Sequence, residues 1–195
     1  PVLLTGASAG GFGAIYNFPE VVARWPHTAL IPDAGIAPGH PGSLLVREGL
    51  AVAARWDAEA LLPPYCREPR CLQDTLHLLA AHARHHDGES APWRPFGLLQ
   101  GQQDATLRAF LEMSACGYQV GLRGSLGGVR PSDNLRAWVP ATDQHVFGLS
   151  RTAATRSGVP WASWFGRVAT ATGPDELPAD AVDAWLPCPT IGLPF

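Results

Sequence analysis

The chain has 195 residues, and its 14 basic and 17 acidic side chains give a formal net charge of −3. Every basic residue is arginine, which excludes a Schiff-base or phosphate-loop lysine, and the mild acidity argues against sequence-independent nucleic-acid binding. Apolar residues make up 46% of the chain, which is enough for the core of one domain. The uncharged stretch 1–19 is interrupted by glycine and proline and lacks a basic start, so it predicts neither a membrane span nor a signal peptide.

The beginning of the chain predicts a strand, a sharp turn and a helix. Residues 2–5 are an apolar run, the Gly-rich residues 6–11 follow directly, and residues 12–25 have helical spacing that Pro19 is expected to kink or split. Ser8 stands at the apex of the turn, in the Gly-x-Ser-x-Gly pattern that is typical of a nucleophile elbow.

The residue types of this turn suit nucleophilic catalysis. A strained backbone at Ser8 makes its hydroxyl project, Gly6, Gly10 and Gly11 allow strand and helix to approach closely, and the N–H of Ala9 faces a developing oxyanion. The alternatives are a plain tight turn and a phosphate-binding turn. The phosphate turn lacks its lysine, and the glycine spacing fits no dinucleotide fingerprint. We therefore predict that Ser8 is the nucleophile.

The rest of the chain repeats a short apolar run, a polar loop and a helix. This repeat predicts an α/β fold with a mostly parallel sheet, whose ligands bind beyond the carboxyl ends of the strands. The predicted strands are residues 28–31, 95–100 and 135–139, the predicted helices lie near 44–60, 72–86, 105–113 and 146–154, and residues 156–195 are expected to cover the sheet without adding to it.

A serine nucleophile needs a histidine base, and His145 is the best candidate. It lies in a loop after a late strand, as the chain order serine, acid, histidine requires. The other six histidines are less suitable. His27 precedes a strand and His40 lies in a Pro/Gly loop. The remaining four belong to one helix with a polar face; they are His77, His82, His85 and His86.

Asp104 is the favoured partner of that base, because it follows the third predicted strand and lies between Ser8 and His145 in the chain. Its alternative role is a helix N-cap. Asp33, at the end of the second predicted strand, is the main rival, with a turn carboxylate as its alternative role. Asp143 is too near His145 to point back at it, and Asp133 precedes a strand.

Two further groups of residues could bind a metal or form disulfides. His82, His85, His86 and Asp87 offer possible metal ligands on a helix, but no fourth ligand has evident spacing, and a solvated helix end explains them as well. We expect no metal or cofactor. The four cysteines, Cys66, Cys71, Cys116 and Cys188, permit two disulfides in three pairings or free thiols, and the first two could close a short loop.

Four segments resemble the pectin acetylesterase family, which includes the Notum-type carboxylesterases. Residues 6–17 are similar to its signature G-x-S-A-G-G-x-G-x-x-x-N, and residues 33–35 resemble its Asp-Ser-Gly stretch. Gln103-Asp104 and Gln144-His145 look like the segments that carry its catalytic acid and histidine. The resemblance implies an α/β-hydrolase-like fold, hydrolysis of carboxylic esters such as acetyl groups on pectin, a catalytic Asp104 and a structural Asp33.

The chain departs from that family before the nucleophile. Strands and a Gly-rich oxyanion loop precede the serine in the family, whereas seven residues precede it here. We expect residues 1–195 to form one N-terminally truncated catalytic domain, the carboxyl-terminal portion of a larger domain, with the Ala9 N–H as the remaining oxyanion donor. The expected partner is an acylated carbohydrate or small ester, and secretion or a periplasmic location is favoured.

Other functions remain open on the sequence alone. A lipase-like enzyme or a peptidase would use the same three residues. A non-enzymatic carbohydrate-binding or interaction module would instead use exposed tryptophans of the tail, namely Trp161, Trp164 and Trp185.

Overall fold

A parallel five-stranded sheet in the order β1-β2-β3-β4-β5 organises the chain. The computed structural model describes residues 2–47, 57–85, 92–129, 134–150 and 152–188. The strands are β1 (Val2–Ala7), β2 (Thr28–Asp33), β3 (Phe96–Leu99), β4 (Leu135–Val139) and β5 (Ala181–Val182). The predicted α/β class with a mostly parallel sheet is therefore confirmed, and four of the strands fall on the predicted apolar runs.

Helices connect these strands. They are α1 (Ala9–Arg24), α2 (Pro69–Gln73), α3 (Thr75–Arg84), α4 (Ala105–Phe110), α5 (Ala115–Gly128) and α6 (Trp161–Thr170), with short 3-10 helices at Ala58–Leu61 and Pro174–Glu176. No helix in the described ranges has the length and apolar character needed to cross a membrane.

The central strands bury both of their faces, as parallel strands do. Successive residues enter opposite cores: Leu30 and Leu98 lie in the core that includes α1, α3 and α5, whereas Ile31 and Leu99 lie in the core that includes α6. In β1 the alternate residues on the α6 side are exposed, and Leu3 keeps 40% of its surface accessible.

Helix α1 runs through Pro19 without a break, so the predicted split into two helices is wrong. Proline has no N–H to donate to the carbonyl four residues earlier, which is that of Ile15. His82 approaches this carbonyl instead, with its Nε2 2.9 Å from the Ile15 oxygen. The lost helical hydrogen bond is thus replaced by a tertiary one.

Several predicted helix bounds need correction. The helix expected near residues 72–86 is two helices, because Asp74 accepts the N–H groups of Leu76 and His77 and starts α3 there. In the region 44–60, residues 44–47 are helical, residues 58–61 form a 3-10 helix, and 48–56 lie outside the described residues. The helix α5 was not predicted.

The carboxyl-terminal part also differs from the prediction. Residues 146–150 form turns and not the start of a helix, because Val146 has a left-handed φ of 64°. The tail does more than cover the sheet: it adds α6 on one face and β5 at the edge beside β4.

Two disulfides are present, Cys66–Cys71 and Cys116–Cys188. The first closes the short loop that the sequence suggested. The second ties α5 to the segment after β5, across a sequence separation of 72 residues.

Candidate active site

Ser8 occupies a strained turn between β1 and α1. Its φ of 56° and ψ of −122° are unusual for a residue with a side chain, as expected for a nucleophile elbow. A Cβ at Gly6 would overlap the carbonyl of Gly10, and one at Gly11 would lie 2.9 Å from the Cα of Gly35. Two of the three predicted elbow glycines are thus required sterically, whereas a Cβ at Gly10 would meet open space.

The backbone around Ser8 is anchored while its hydroxyl is not. The Ser8 N–H donates to the main-chain carbonyl of Asp33 at 2.9 Å, and the Ser8 carbonyl accepts the N–H of Gly11 at 2.8 Å. Within the described ranges, neither the Ser8 hydroxyl nor the N–H of Ala9 has a hydrogen-bond partner. Both groups are therefore available to a substrate carbonyl at the start of α1.

Asp104 and His145 meet at the carboxyl edge of the sheet, 41 residues apart in the chain. The Nδ1 of His145 lies 2.9 Å from Oδ2 of Asp104. Asp104 is completely buried, and the His145 side chain keeps 17% of its surface exposed. A carboxylate at Nδ1 fixes the tautomer whose Nε2 is free to accept a proton.

Asp104 also caps α4, as its alternative role predicted. Its Oδ1 accepts the N–H groups of Thr106 and Leu107 at 3.1 and 2.9 Å, and its Oδ2 accepts the side-chain amide of Gln100 at 2.8 Å. Gln100 is fully buried and was not singled out from the sequence. Its position at the end of a strand, four residues before Asp104, is the only signal that could have found it.

The rival carboxylate, Asp33, does not bind the His145 ring. It accepts the N–H of Phe147 at 2.9 Å and the N–H of Gly148 at 2.7 Å. Burial raises the pKa of Asp33, and the Gly148 and Phe147 N–H groups oppose that rise. Asp33 thus holds the loop that carries His145, and Asp104 holds its ring.

The Ser8 hydroxyl and the His145 ring are not hydrogen-bonded to each other in the described part of the chain. Their chain neighbours Ala7 and Val146, though not Ser8 and His145 themselves, line one cavity of about 320 Å³. Catalytic hydrogen bonds are often long in a free enzyme and shorten when substrate binds. Of the two contacts predicted among Ser8, His145 and Asp104, the structure contains the one between His145 and Asp104.

The same cavity is mostly apolar. It lies between the exposed face of β1 and helix α6, and its apolar side chains are Leu99, Leu149, Trp161 and Phe165. Of these four residues, Trp161 was singled out from the sequence, as a possible carbohydrate contact, whereas Leu99, Leu149 and Phe165 were not predicted as part of a site.

Two of the other histidines, His77 and His82, have hydrogen-bond partners away from this site. His82 is buried between the Ile15 carbonyl and the hydroxyl of Tyr65, which is 2.8 Å from its Nδ1. Burial lowers the pKa of His82 to about 4. His77 pairs with Glu68 at 2.7 Å. His86, Asp87 and Asp133 lie outside the described residues.

One group of possible metal ligands occurs within the described ranges, formed by Cys66, Cys71 and His77. The two cysteines are joined in a disulfide, so their sulfurs are not available as thiolate ligands.

The tail tryptophans are less exposed than a carbohydrate platform requires. Trp164 is buried in the core beside α6, Trp161 is half-buried and donates to the Ser150 carbonyl, and Trp185 packs partly buried against the other core. The expectation of three exposed tryptophans is therefore wrong.

The fold and the site define a parallel α/β protein with polar side chains gathered at the carboxyl edge of its sheet. Comparisons with protein-family models, with curated proteins and with solved structures find no match for this chain.

Proposed function

We propose that this chain is a serine carboxylic-ester hydrolase of the α/β-hydrolase type, in which Ser8 is the nucleophile, His145 the base and Asp104 the residue that orients the base. The observation that carries the proposal is the pair formed by His145 and a fully buried Asp104 at the sheet edge where the strained Ser8 turn also lies. The resemblance of residues 6–17 to the pectin acetylesterase signature supports an acetylated polysaccharide such as pectin as substrate.

The reaction would proceed in two halves. The Ser8 oxygen attacks the ester carbonyl while His145 Nε2 takes its proton, and the N–H of Ala9 donates to the oxyanion that forms. Collapse breaks the ester C–O bond, and His145 returns the proton to the leaving alcohol. Water then attacks the acyl-serine with His145 again as base, releasing the carboxylic acid. Substrate binding has to bring the Ser8 hydroxyl and His145 within hydrogen-bond distance.

Charge and burial at the pair support these roles. Asp104 has no solvent contact, and it faces four donors: two backbone N–H groups, the Gln100 amide and the His145 ring. A buried carboxylate with these partners can stabilise the imidazolium that forms as Ser8 loses its proton.

The apolar cavity favours a second candidate function, hydrolysis of esters with a larger acyl group, as in a lipase-like enzyme. The volume of about 320 Å³ beside the elbow exceeds what an acetyl group needs. A series of p-nitrophenyl esters from acetate to octanoate separates the two candidates: kcat/KM falls with chain length for an acetylesterase and rises for the second enzyme.

The proposal is tested by hydrolysis of p-nitrophenyl acetate and by covalent labelling with a fluorophosphonate. Ser8→Ala should lower kcat by about 10⁴-fold or more and abolish labelling. Ser157→Ala is the matched control, because the Ser157 hydroxyl hydrogen-bonds to Thr155 in a turn within the described part of the chain, and it should leave both unchanged. Wild-type turnover in Ser8→Ala would exclude the mechanism, and no labelling of the folded wild-type protein would favour a binding module.

The two disulfides are compatible with the proposed secreted or periplasmic location, where such bonds persist.

A further inference from the structure

Asp33 forms hydrogen bonds with both halves of the proposed site. Its main-chain carbonyl accepts the N–H of Ser8 at 2.9 Å. Its carboxylate accepts the N–H groups of Phe147 and Gly148, which follow His145 by two and three residues, at 2.9 and 2.7 Å. The strand end that fixes the nucleophile therefore also fixes the loop of the base.

The backbone on both sides of this connection is strained. Ala34, directly after Asp33, has a φ of 53°, and Val146, directly after His145, has a φ of 64°. Left-handed backbone is unfavourable for both residue types, and for a β-branched residue such as Val146 it is rare. Such a turn persists only where its surroundings over-determine it. The two hydrogen bonds to the Asp33 carboxylate directly after Val146 provide that constraint.

The carboxylate is well suited to this task. Asp33 is 6% exposed, and Phe147 N–H lies near both of its oxygens, at 3.0 and 2.9 Å. An asparagine in its place would turn one oxygen into an NH₂ group. An NH₂ group at the Oδ2 position would face the N–H groups of both Phe147 and Gly148, and one at the Oδ1 position would still lie 3.0 Å from the Phe147 nitrogen, so either orientation would strain the loop.

We infer that Asp33 is a positioning residue of the hydrolase, which sets the separation between Ser8 and His145 by anchoring the loop of His145 to the nucleophile elbow. The inference rests on the proposed function. Asp33 acts through other residues: it touches neither the His145 ring, whose carboxylate partner is Asp104, nor the Ser8 hydroxyl.

The test compares two buried aspartates. Asp33→Asn should lower kcat and kcat/KM together by about 10- to 100-fold with KM unchanged, because a displacement of about 1 Å at a catalytic group has an effect of this size. Asp74→Asn is the matched control, since Asp74 is equally buried and also accepts two backbone N–H groups, those of Leu76 and His77, at the start of α3. It should lose stability but keep kcat.

Two kinetic outcomes would overturn the inference. The first is a folded Asp33→Asn protein with kcat within about twofold of the wild type. The second is an equal fall in kcat for Asp33→Asn and Asp74→Asn, which would mean that stability alone is responsible. Fluorophosphonate labelling of the wild type separates these results from failure of the proposed function, in which Ser8 would not react at all.

A measurement on the wild type covers the case in which Asp33→Asn does not fold. The backbone amides of Phe147 and Gly148 should exchange with deuterium as slowly as those of the central strands, because a buried carboxylate holds both. Exchange of these two amides at the rate of an unprotected loop would also overturn the inference.

Discussion

Replacing Gly11 by alanine tests the close approach of α1 to the sheet that creates the Ser8 turn. A Cβ at Gly11 would lie 2.9 Å from the Gly35 Cα, 3.1 Å from the Gly6 oxygen and 3.2 Å from the Gly35 nitrogen. All three atoms belong to the backbone and cannot rotate away. The first turn of α1 must therefore move away from the ends of β1 and β2.

The size of the effect follows from a matched position in the same helix. Gly13 also lies in α1, but a Cβ there would meet nothing within 4 Å. Exchange of glycine for alanine inside a helix stabilises it by roughly 0.5–1 kcal/mol, so Gly13→Ala should raise the free energy of unfolding by about that amount. Gly11→Ala has the same gain but adds an overpacking cost of about 1–3 kcal/mol.

The assay is urea unfolding of the two variants and the wild type. We expect Gly11→Ala to be about 1–3 kcal/mol less stable than Gly13→Ala, and the rate of fluorophosphonate labelling at Ser8 to fall in Gly11→Ala alone. Equal stability of the two variants would show that α1 and the Gly35 backbone are not in close contact, and the steric explanation of the elbow would then fail.

Three further predictions follow from buried contacts. Asp104→Asn should lower kcat for p-nitrophenyl acetate by about 10³–10⁴-fold, because an amide does not stabilise the imidazolium, and unaltered kcat would exclude the acid role. Burial lowers the pKa of His82 to about 4, so the unfolded chain binds a proton at this residue more readily than the folded one. The contribution of His82 to the free energy of unfolding is therefore present above about pH 6.5 and falls by up to about 3 kcal/mol towards pH 4. In urea unfolding at pH 6.5 and pH 4, His82→Gln should reduce the difference in unfolding free energy between the two pH values. An equally large difference in this variant would assign the pH dependence to other groups. Replacing Cys116 and Cys188 by serine should cost about 4 kcal/mol of unfolding free energy, because their bond closes a long loop; an unchanged urea midpoint would contradict that value.

The sheet could be predicted from the sequence to a large extent. The apolar runs at 28–31, 95–100 and 135–139 correspond to β2, β3 and β4, and β2 and β3 are buried on both faces, which favours continuously apolar sequences. The pattern around Ser8 likewise specified the turn that the structure contains, since its glycines allow a helix to follow a strand so closely.

The errors lie where tertiary contacts override local signals. Pro19 should break α1, yet the orphaned Ile15 carbonyl finds His82, which is 67 residues away in the chain. Residues 146–154 have an apolar content that suits a helix, yet the bonds from Phe147 and Gly148 to Asp33 hold a turn there. No local pattern contains either partner.

The order of residues along the chain determined which side chains follow which strands, and thereby placed Ser8, Asp33, Asp104 and His145 at one edge of a parallel sheet. It did not determine which carboxylate holds the imidazole. Asp33 ends β2 and Asp104 follows β3, and only the packed structure assigns one to the loop backbone and the other to the His145 ring. The physical reason is distance: hydrogen bonds depend on a few tenths of an ångström across residues more than 40 positions apart, and packing of the whole core sets those distances.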